Sequence, residues 1–484
     1  MRNGQWIHTE SVYFWGCLHL ACRLLYSIFK FWFFLELNTH CEWVFVFGYF
    51  VMKKEKEIAQ FALDYALKNG CQHAKVVLAM GEENEVEVRD GKVNRLHHSG
   101  GCQLTLSLYV DGSYSSISTN RLDREELARF IDKGIISTRY LAADPYRCLP
   151  EKELYYSGEG NDFGLLDEGY DGVDVDEKIG VTRAIFDEIV DERVISASAM
   201  LGDNVVRDYM VDSGGFEGDM CRSQFAVSAQ VCVSGEGDER PEDYAFVTSA
   251  LWQGLKREGV GTDALSRVVG KIGASRIDSG VYSVVVDRRV AAQLVSPLLS
   301  ALKGEALHMK SSFLLDRKGE KIASDVLTIV DNPHQEGKIG ARLFDRDGIA
   351  VREMKVVEKG VLCDYYISHY MSKKMGVEMT RGITTVLDFE HGVCDTAGLI
   401  AKMGTGVLVT GFNGGNCNGT TGDFSYGIEG YWVENGVIVK PISEMLMTGN
   451  MLELWMNLVD TSNDPMRYSA WNVPSLLFTD VVVN

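Results

Sequence analysis

The sequence is poor in the signals by which enzymes are usually recognised. None of its ten histidines is followed by Glu, so the His-Glu pair that opens zinc-peptidase helices is missing. No Gly-Lys is followed by Ser or Thr, which excludes a P-loop, and the absence of Gly-x-Ser-x-Gly excludes a nucleophile elbow. The 11 cysteines include no Cys-x-x-Cys pair and are scattered through 484 residues. They read as reduced thiols of a cytoplasmic protein rather than as a disulfide framework. Positive charge is in deficit, with Lys+Arg 48 against Asp+Glu 68 and a formal net charge of −20. Nucleic-acid binding needs basic surface to displace counterions, so direct binding is not expected. The one strongly apolar run, LLYSIFKFWFFL at 24–35, is interrupted by Lys30 and falls short of the roughly 20 residues that span a bilayer. Long internal repeats and low-complexity tracts are also missing.

What is present is enough for two or three domains. Residues 1–51 hold 15 of the 49 aromatics and do not resemble the rest, whereas Met52 opens MKKEKEIAQFALDYALKNG, which reads as a natural start running into an amphipathic helix. The expectation is that 1–51 is a non-native or disordered extension, with a membrane anchor as the alternative. The N-terminal domain, 52–157, pairs helices with an antiparallel sheet. Its strands are expected at 74–80, 84–89, 92–97, 103–110 and 113–118, with Asp90-Gly91 and Asp111-Gly112 as hairpin turns. Asp123 is placed to cap a helix over 124–140, with Glu126 at the capping-box position. Residues 158–275 read as an acidic linker and a middle sheet region, with a helix over 177–191, strands at 205–211 and 224–233, and a second helix pair over about 263–275. The order of Asp171, Asp174 and Asp176 does not fit a calcium loop. Residues 276–484 form a strand-rich C-terminal domain, opening with a buried strand at 283–287 and a helix over 288–303. The fold class is α+β.

One block stands out. Residues 403–436, MGTGVLVTGFNGGNCNGTTGDFSYGIEGYWVENG, read as a strand, a loop over 411–422 rich in glycine and asparagine, and a hairpin closed by Asn435-Gly436. Gly404-Thr405-Gly406 precedes a strand rather than a helix, the wrong context for a dinucleotide phosphate.

This block, together with KSSFLLD at 310–316, resembles the C-terminal domain of the PmbA/TldD family, metalloprotease-like proteins labelled modulators of DNA gyrase. One type of subunit in that family carries a His-Glu-x-x-x-His zinc helix, and the other, the TldE or PmbA type, does not. The resemblance implies that the helix falls in PLLSALKGEALH, 297–308, with Ser300 and Glu305 where the histidines would be and Ala301 where the catalytic Glu would be. A five-residue spacing puts two side chains about 140° apart on an ideal helix. Converging them needs a widened or broken turn, which Gly304 would permit. The family's third ligand, a cysteine, would fall near Gly427 or Ile428. A catalytic zinc needs about three protein donors and an open position. A neutral hydroxyl, an alanine and one carboxylate do not supply them, so no cofactor is expected in this chain.

The resemblance then implies a non-zinc subunit of a heterodimeric peptidase acting on unfolded peptides. Its partner is a zinc-bearing TldD-type subunit, with a homodimer as the form left without that partner. The segment containing Gly411, Asn413, Gly414, Gly415, Asn418, Thr421, Gly422 and Asp423 would shape a peptide groove or the subunit contact. Exposed strand edges would grip an extended peptide. Two other readings stand beside this one. A displaced metal site could draw on His391-x-x-Cys394 and on His308, His334 or His369. A non-catalytic homodimer could modulate a target such as gyrase. Cys417 would serve as a nucleophile only with a base beside it.

Overall fold

The structure, a computed structural model, describes residues 41–158 and 163–484. Residues 1–40, which hold most of the expected extension, and 159–162 in the acidic linker lie outside that description. The chain divides into the units Met1–Ile58 and Ala59–Asn484. The described part of the first lies within helix α1 (Cys41–Lys68), and the second holds every strand and the remaining described helices. Among the described residues no helix is long and apolar enough to cross a membrane.

Alternating buried and exposed side chains build six strands, β1 (His73–Arg89), β2 (Lys92–Val110), β3 (Ser113–Thr119), β4 (Val194–Asp212), β5 (Glu217–Val233) and β6 (Glu242–Ser249). They form one antiparallel sheet in the order β3-β2-β1-β4-β5-β6. The N-terminal and middle regions therefore share a sheet, and no break falls near residue 157. Asp90-Gly91 and Asp111-Gly112 turn the first hairpins with positive φ at both positions, 48° and 76°, then 51° and 81°. β1 and β2 are each continuous where the sequence reads as two strands. The ladder runs through Gly81↔Gly101 and Glu82↔Gly100, where glycines and exposed polar residues leave no alternation to see. β6 also escapes the sequence reading.

Three helices cover the sheet: α2 (Arg124–Thr138), α3 (Val175–Asp187) and α4 (Val260–Gly270). Asp123 caps α2 as expected, accepting from the N–H groups of Glu125 and Glu126, while Glu126 itself turns to Arg121 at 3.3 Å. Glu188, beyond α3, accepts from Gly259 and Gly261 at the start of α4, at 2.9 and 2.8 Å.

The C-terminal half holds two sheets. The larger comprises β7 (Gly280–Val286), β12 (Gly406–Cys417), β13 (Asp423–Glu434), β14 (Val437–Asn450), β15 (Leu458–Thr461) and β17 (Leu476–Val483), in the order β14-β13-β12-β7-β17-β15. The smaller comprises β8 (Ile329–Asp331), β9 (Met354–Glu358), β10 (Val361–Leu362), β11 (Leu387–Phe389) and β16 (Trp471–Asn472). Between and around them lie α5 (Ala292–Ala301), α6 (Gly304–His308), α7 (His369–Met375), α8 (Thr396–Met403) and α9 (Met451–Met456). The two sheets and α5 close on one core that includes Val284, Leu294, Leu298, Leu314, Val407, Trp455 and Phe478.

The expected helix over 288–303 is shorter, and its end has a cause. Asp331, fully buried, accepts from Tyr366 Oη at 2.8 Å and from Thr385, and pairs with the buried Arg381 at 2.9 Å. Tyr366, fixed by that bond, accepts from Gly304 N–H through its carbonyl and donates its own N–H to Leu302, both at 2.9 Å. Residues 302–304 thus bond like a strand and divide α5 from α6.

Where the sheet lobe meets the C-terminal half, Lys75 of β1 pairs with Asp347 at 2.5 Å, next to the buried Asp345. Burial and the Asp347 charge push the Asp345 carboxyl up to about 6, although its Oδ1 accepts from the N–H groups of Asp347 and Ile349. A carboxyl raised in the folded state stabilises below its ordinary range, and that stability is lost as pH rises through about 6. Asn keeps an Oδ1 for both bonds and removes the charge. Asp345→Asn should therefore raise Tm at pH 7.5, and the gain should shrink steadily towards pH 4.5. A gain that is absent at pH 7.5, or equal at both pH values, would contradict this assignment.

Candidate functional site

On α5 and α6, Ser300 and Glu305 are exposed, while Ala301 is buried and its carbonyl accepts from Ser312 Oγ at 2.6 Å. The expected break in the helix is there, but Gly304 does not make it. Its φ is not positive, and the interruption lies at Leu302 and Lys303 through Tyr366. Gly304 serves packing instead, because a Cβ there would sit 3.0 Å from Met371 Cβ on α7. Of the third-ligand positions, Ile428 is buried and a Cβ at Gly427 would approach the Asn413 carbonyl at 3.0 Å. A hydroxyl, a methyl and one carboxylate do not fit zinc. Among the described residues no group of three or more His, Cys, Asp or Glu side chains could hold a metal. His334 stacks on Phe163, His369 lies beside Glu151 at 3.3 Å, and His308 is exposed at the end of α6. Burial lowers the His391 pKa, and Cys394 packs beside the cluster around Leu399.

The glycine–asparagine segment is mostly strand rather than loop. β12 stays paired with β13 as far as Cys417↔Phe424, with bulges at Thr410 and at Asn413-Gly414. Only 418–422 turn. Asn418 Oδ1 accepts from Thr420 and Thr421 N–H, Gly422 N–H returns to the Asn418 carbonyl at 2.7 Å, and Thr421 Oγ1 donates to Asp423. Asn450 Nδ2 donates to Thr421 O and Asp423 Oδ1, both at 2.9 Å, and Gly419 O accepts from Phe313 N–H at 2.8 Å. Asn418, Thr421, Gly422 and Asp423 therefore hold the turn and tie it to 310–316. Burial, and after it the Asp423 carboxylate, raise the Cys417 thiol pKa, and its Sγ faces the Asn418 carbonyl at 3.8 Å.

Gly411, Asn413, Gly414 and Gly415 are placed differently. β7 pairs with β12 only over Gly406–Val409, after which the chain turns away towards α5. From 411 to 417, β12 has no second neighbour strand among the described residues. A cavity of about 800 Å³, lined by Gly411 and Asn413, separates this edge from β6 and α4. A second, of about 390 Å³ and lined by Gly415, continues beneath it along α5. Ala292 and Gln293 border both, so the two form one trough.

The trough is electrically balanced. Lys271 binds Glu429 at 2.6 Å and Asp243 at 3.0 Å, Arg276 binds Glu444 at 2.9 Å, and Arg289 binds Asp287 at 3.0 Å. The opposite edge, β6, is capped at its first residues. Lys271 Nζ takes the Glu242 carbonyl, Arg267 takes that of Tyr244, both at 3.0 Å, and Tyr244 N–H bonds to Asp243 Oδ1. On β6 these bonds take up the main chain at 242 and 244, whereas β12 from 411 to 417 has no such seal among the described residues. The β6 and α4 wall escapes a sequence reading because its residues lie some 150 positions from β12 and carry no motif.

Fold and trough define a strand-rich α+β protein with an open strand edge in its C-terminal half. Comparison agrees. Residues 279–484 match the PmbA/TldA metallopeptidase C-terminal domain. A Bacteroides thetaiotaomicron structure, described as a modulator of DNA gyrase, is 46% identical over 89% of this chain and 99% of its own, with a TM-score of 0.88. The metalloprotease PmbA homolog of Haemophilus influenzae is 26% identical over 89% of this chain and 97% of its own. The TldE of Thermococcus kodakarensis, at 18% identity, shares the fold over 87% of this chain and 98% of its own, with a TM-score of 0.76. The chain belongs to the PmbA/TldD family.

Gly414 sits at φ +91° with open space around it. A β-branched residue there is strained by about 1–3 kcal/mol. Gly414→Val should therefore lower Tm by several degrees, while Asn413→Ala, at an exposed bulge, should unfold like the wild type. A Tm for Gly414→Val equal to wild type would show that the bulge does not need a positive φ.

Proposed function

We propose that this chain is the non-zinc, TldE/PmbA-type subunit of a cytoplasmic two-subunit metallopeptidase that processes unfolded peptides, the zinc being held by a TldD-type partner. One observation carries this reading. Where the resemblance aligns the family's metal helix this chain carries Ser300, Ala301 and Glu305, and α5 of that helix borders a trough that ends on the strand edge of β12. A subunit that had lost its function altogether would have no reason to keep that edge open. The balanced charges of the trough suit a polypeptide main chain of any sequence better than an ionic ligand. In this reading the chain binds and orients the peptide, and hydrolysis takes place in the partner. The net charge of −20 disfavours direct action on DNA.

The purified chain should contain no stoichiometric zinc by elemental analysis and should not cleave an unfolded peptide. Adding a zinc-bearing TldD-type subunit should produce chelator-sensitive cleavage. Near-equimolar metal in this chain alone, with activity lost on chelation, would overturn the proposal in favour of a displaced metal site.

A further inference from the structure

Five tyrosines are buried among the described residues, Tyr155, Tyr170, Tyr209, Tyr366 and Tyr426. Four give their hydroxyl to a carboxylate: Tyr155 to Asp212 at 2.8 Å, Tyr170 to Asp203 at 2.6 Å, Tyr209 to Glu217 at 3.1 Å and Tyr366 to Asp331 at 2.8 Å. Tyr426 is the exception. It is 4% exposed, and its ring packs edge-on against Phe412 and stacks on Phe424, both at 5.5 Å, yet its hydroxyl meets no acceptor among the described residues. Its oxygen is not one of the fully enclosed polar atoms without a partner, so it opens on to the space beside the strand.

What the Tyr426 side chain reaches is the smaller cavity of the trough, whose other walls include Gln293, Ser296 and Pro297 of α5. Across the ladder from Tyr426 is Gly415. A side chain at Gly415 is ruled out twice over, by φ +105° and by the Ser425 carbonyl 2.1 Å from where its Cβ would be. With Gly414 beside it, no side chain at 414 or 415 fills the space between Tyr426 and α5. Burial pushes the hydroxyl up to about 12, so at neutral pH it keeps its proton and can donate.

We infer that Tyr426 is a peptide-binding residue, its hydroxyl donating a hydrogen bond to a main-chain carbonyl of an extended peptide laid along the free edge of β12. Every peptide unit carries such a carbonyl, so the contact orients the chain without selecting its sequence. This rests on the subunit reading above and adds to it a named donor on the wall of the trough.

The test uses the full chain and a fluorescein-labelled, unstructured peptide of Gly, Ser and Ala, with binding read by anisotropy. Tyr426→Phe should weaken binding about three- to tenfold and leave Tm unchanged or slightly raised. Tyr155→Phe, which strips a hydroxyl from Asp212 far along the chain, should lower Tm and leave peptide affinity alone. If Tyr426→Phe binds as tightly as wild type, or loses binding only together with a fall in Tm, the inference is overturned and the subunit reading stands. If the wild-type chain binds no peptide, the subunit reading falls and takes the inference with it.

Discussion

The buried carboxylate of Asp331 organises the C-terminal half. An ionised group taken wholly out of water is tolerated only when paired and hydrogen-bonded, and burial alone would raise its pKa. Arg381, Thr385 and Tyr366 meet that demand, and in doing so they join β8, the segment before β11 and the segment before α7. The consequence lies one bond further on. Tyr366, held by its hydroxyl, presents its main chain to Leu302 and Gly304 and interrupts what would otherwise be one helix. The break belongs to this hydrogen-bonded scaffold.

The trough depends on a second constraint, the early end of β7. A parallel neighbour covers β12 only to Val409, because the chain must turn there to place α5 against the core. Beyond that point β12 carries bulges and glycines, which twist the strand and strip its face of side chains. The result is an open edge above α5, facing a wall supplied by the sheet lobe. Lys271 joins the two by bonding to both Glu429 and Asp243, while the same lysine and Arg267 cap the rival edge of β6 at its first residues.

Much of the fold is legible in the sequence. Turn chemistry marks Asp90-Gly91 and Asp111-Gly112, and the Asp123 cap is identifiable, because each depends on a few adjacent residues. Strand continuity is not legible. The ladder through Gly81↔Gly101 is maintained by pairing with both neighbours of β1, and this is invisible to side-chain periodicity. The glycine–asparagine block is recognisable as special but reads as a loop. Glycines that serve a bulged strand look the same in sequence as glycines that serve a turn. Asn418, Thr421, Gly422 and Asp423 hold the 418–422 turn. The unpartnered hydroxyl of Tyr426 shows itself only against the four tyrosines that do have partners.

In the proposed reading, the open edge of β12 above α5 is where this chain holds a peptide. Amide hydrogen exchange of the full chain, with and without a saturating unstructured peptide, addresses it most directly. Added protection is expected to concentrate in 411–417 and the first turn of α5, with the capped strand β6 unchanged. Protection located elsewhere, or none in β12 at saturation, would contradict the claim.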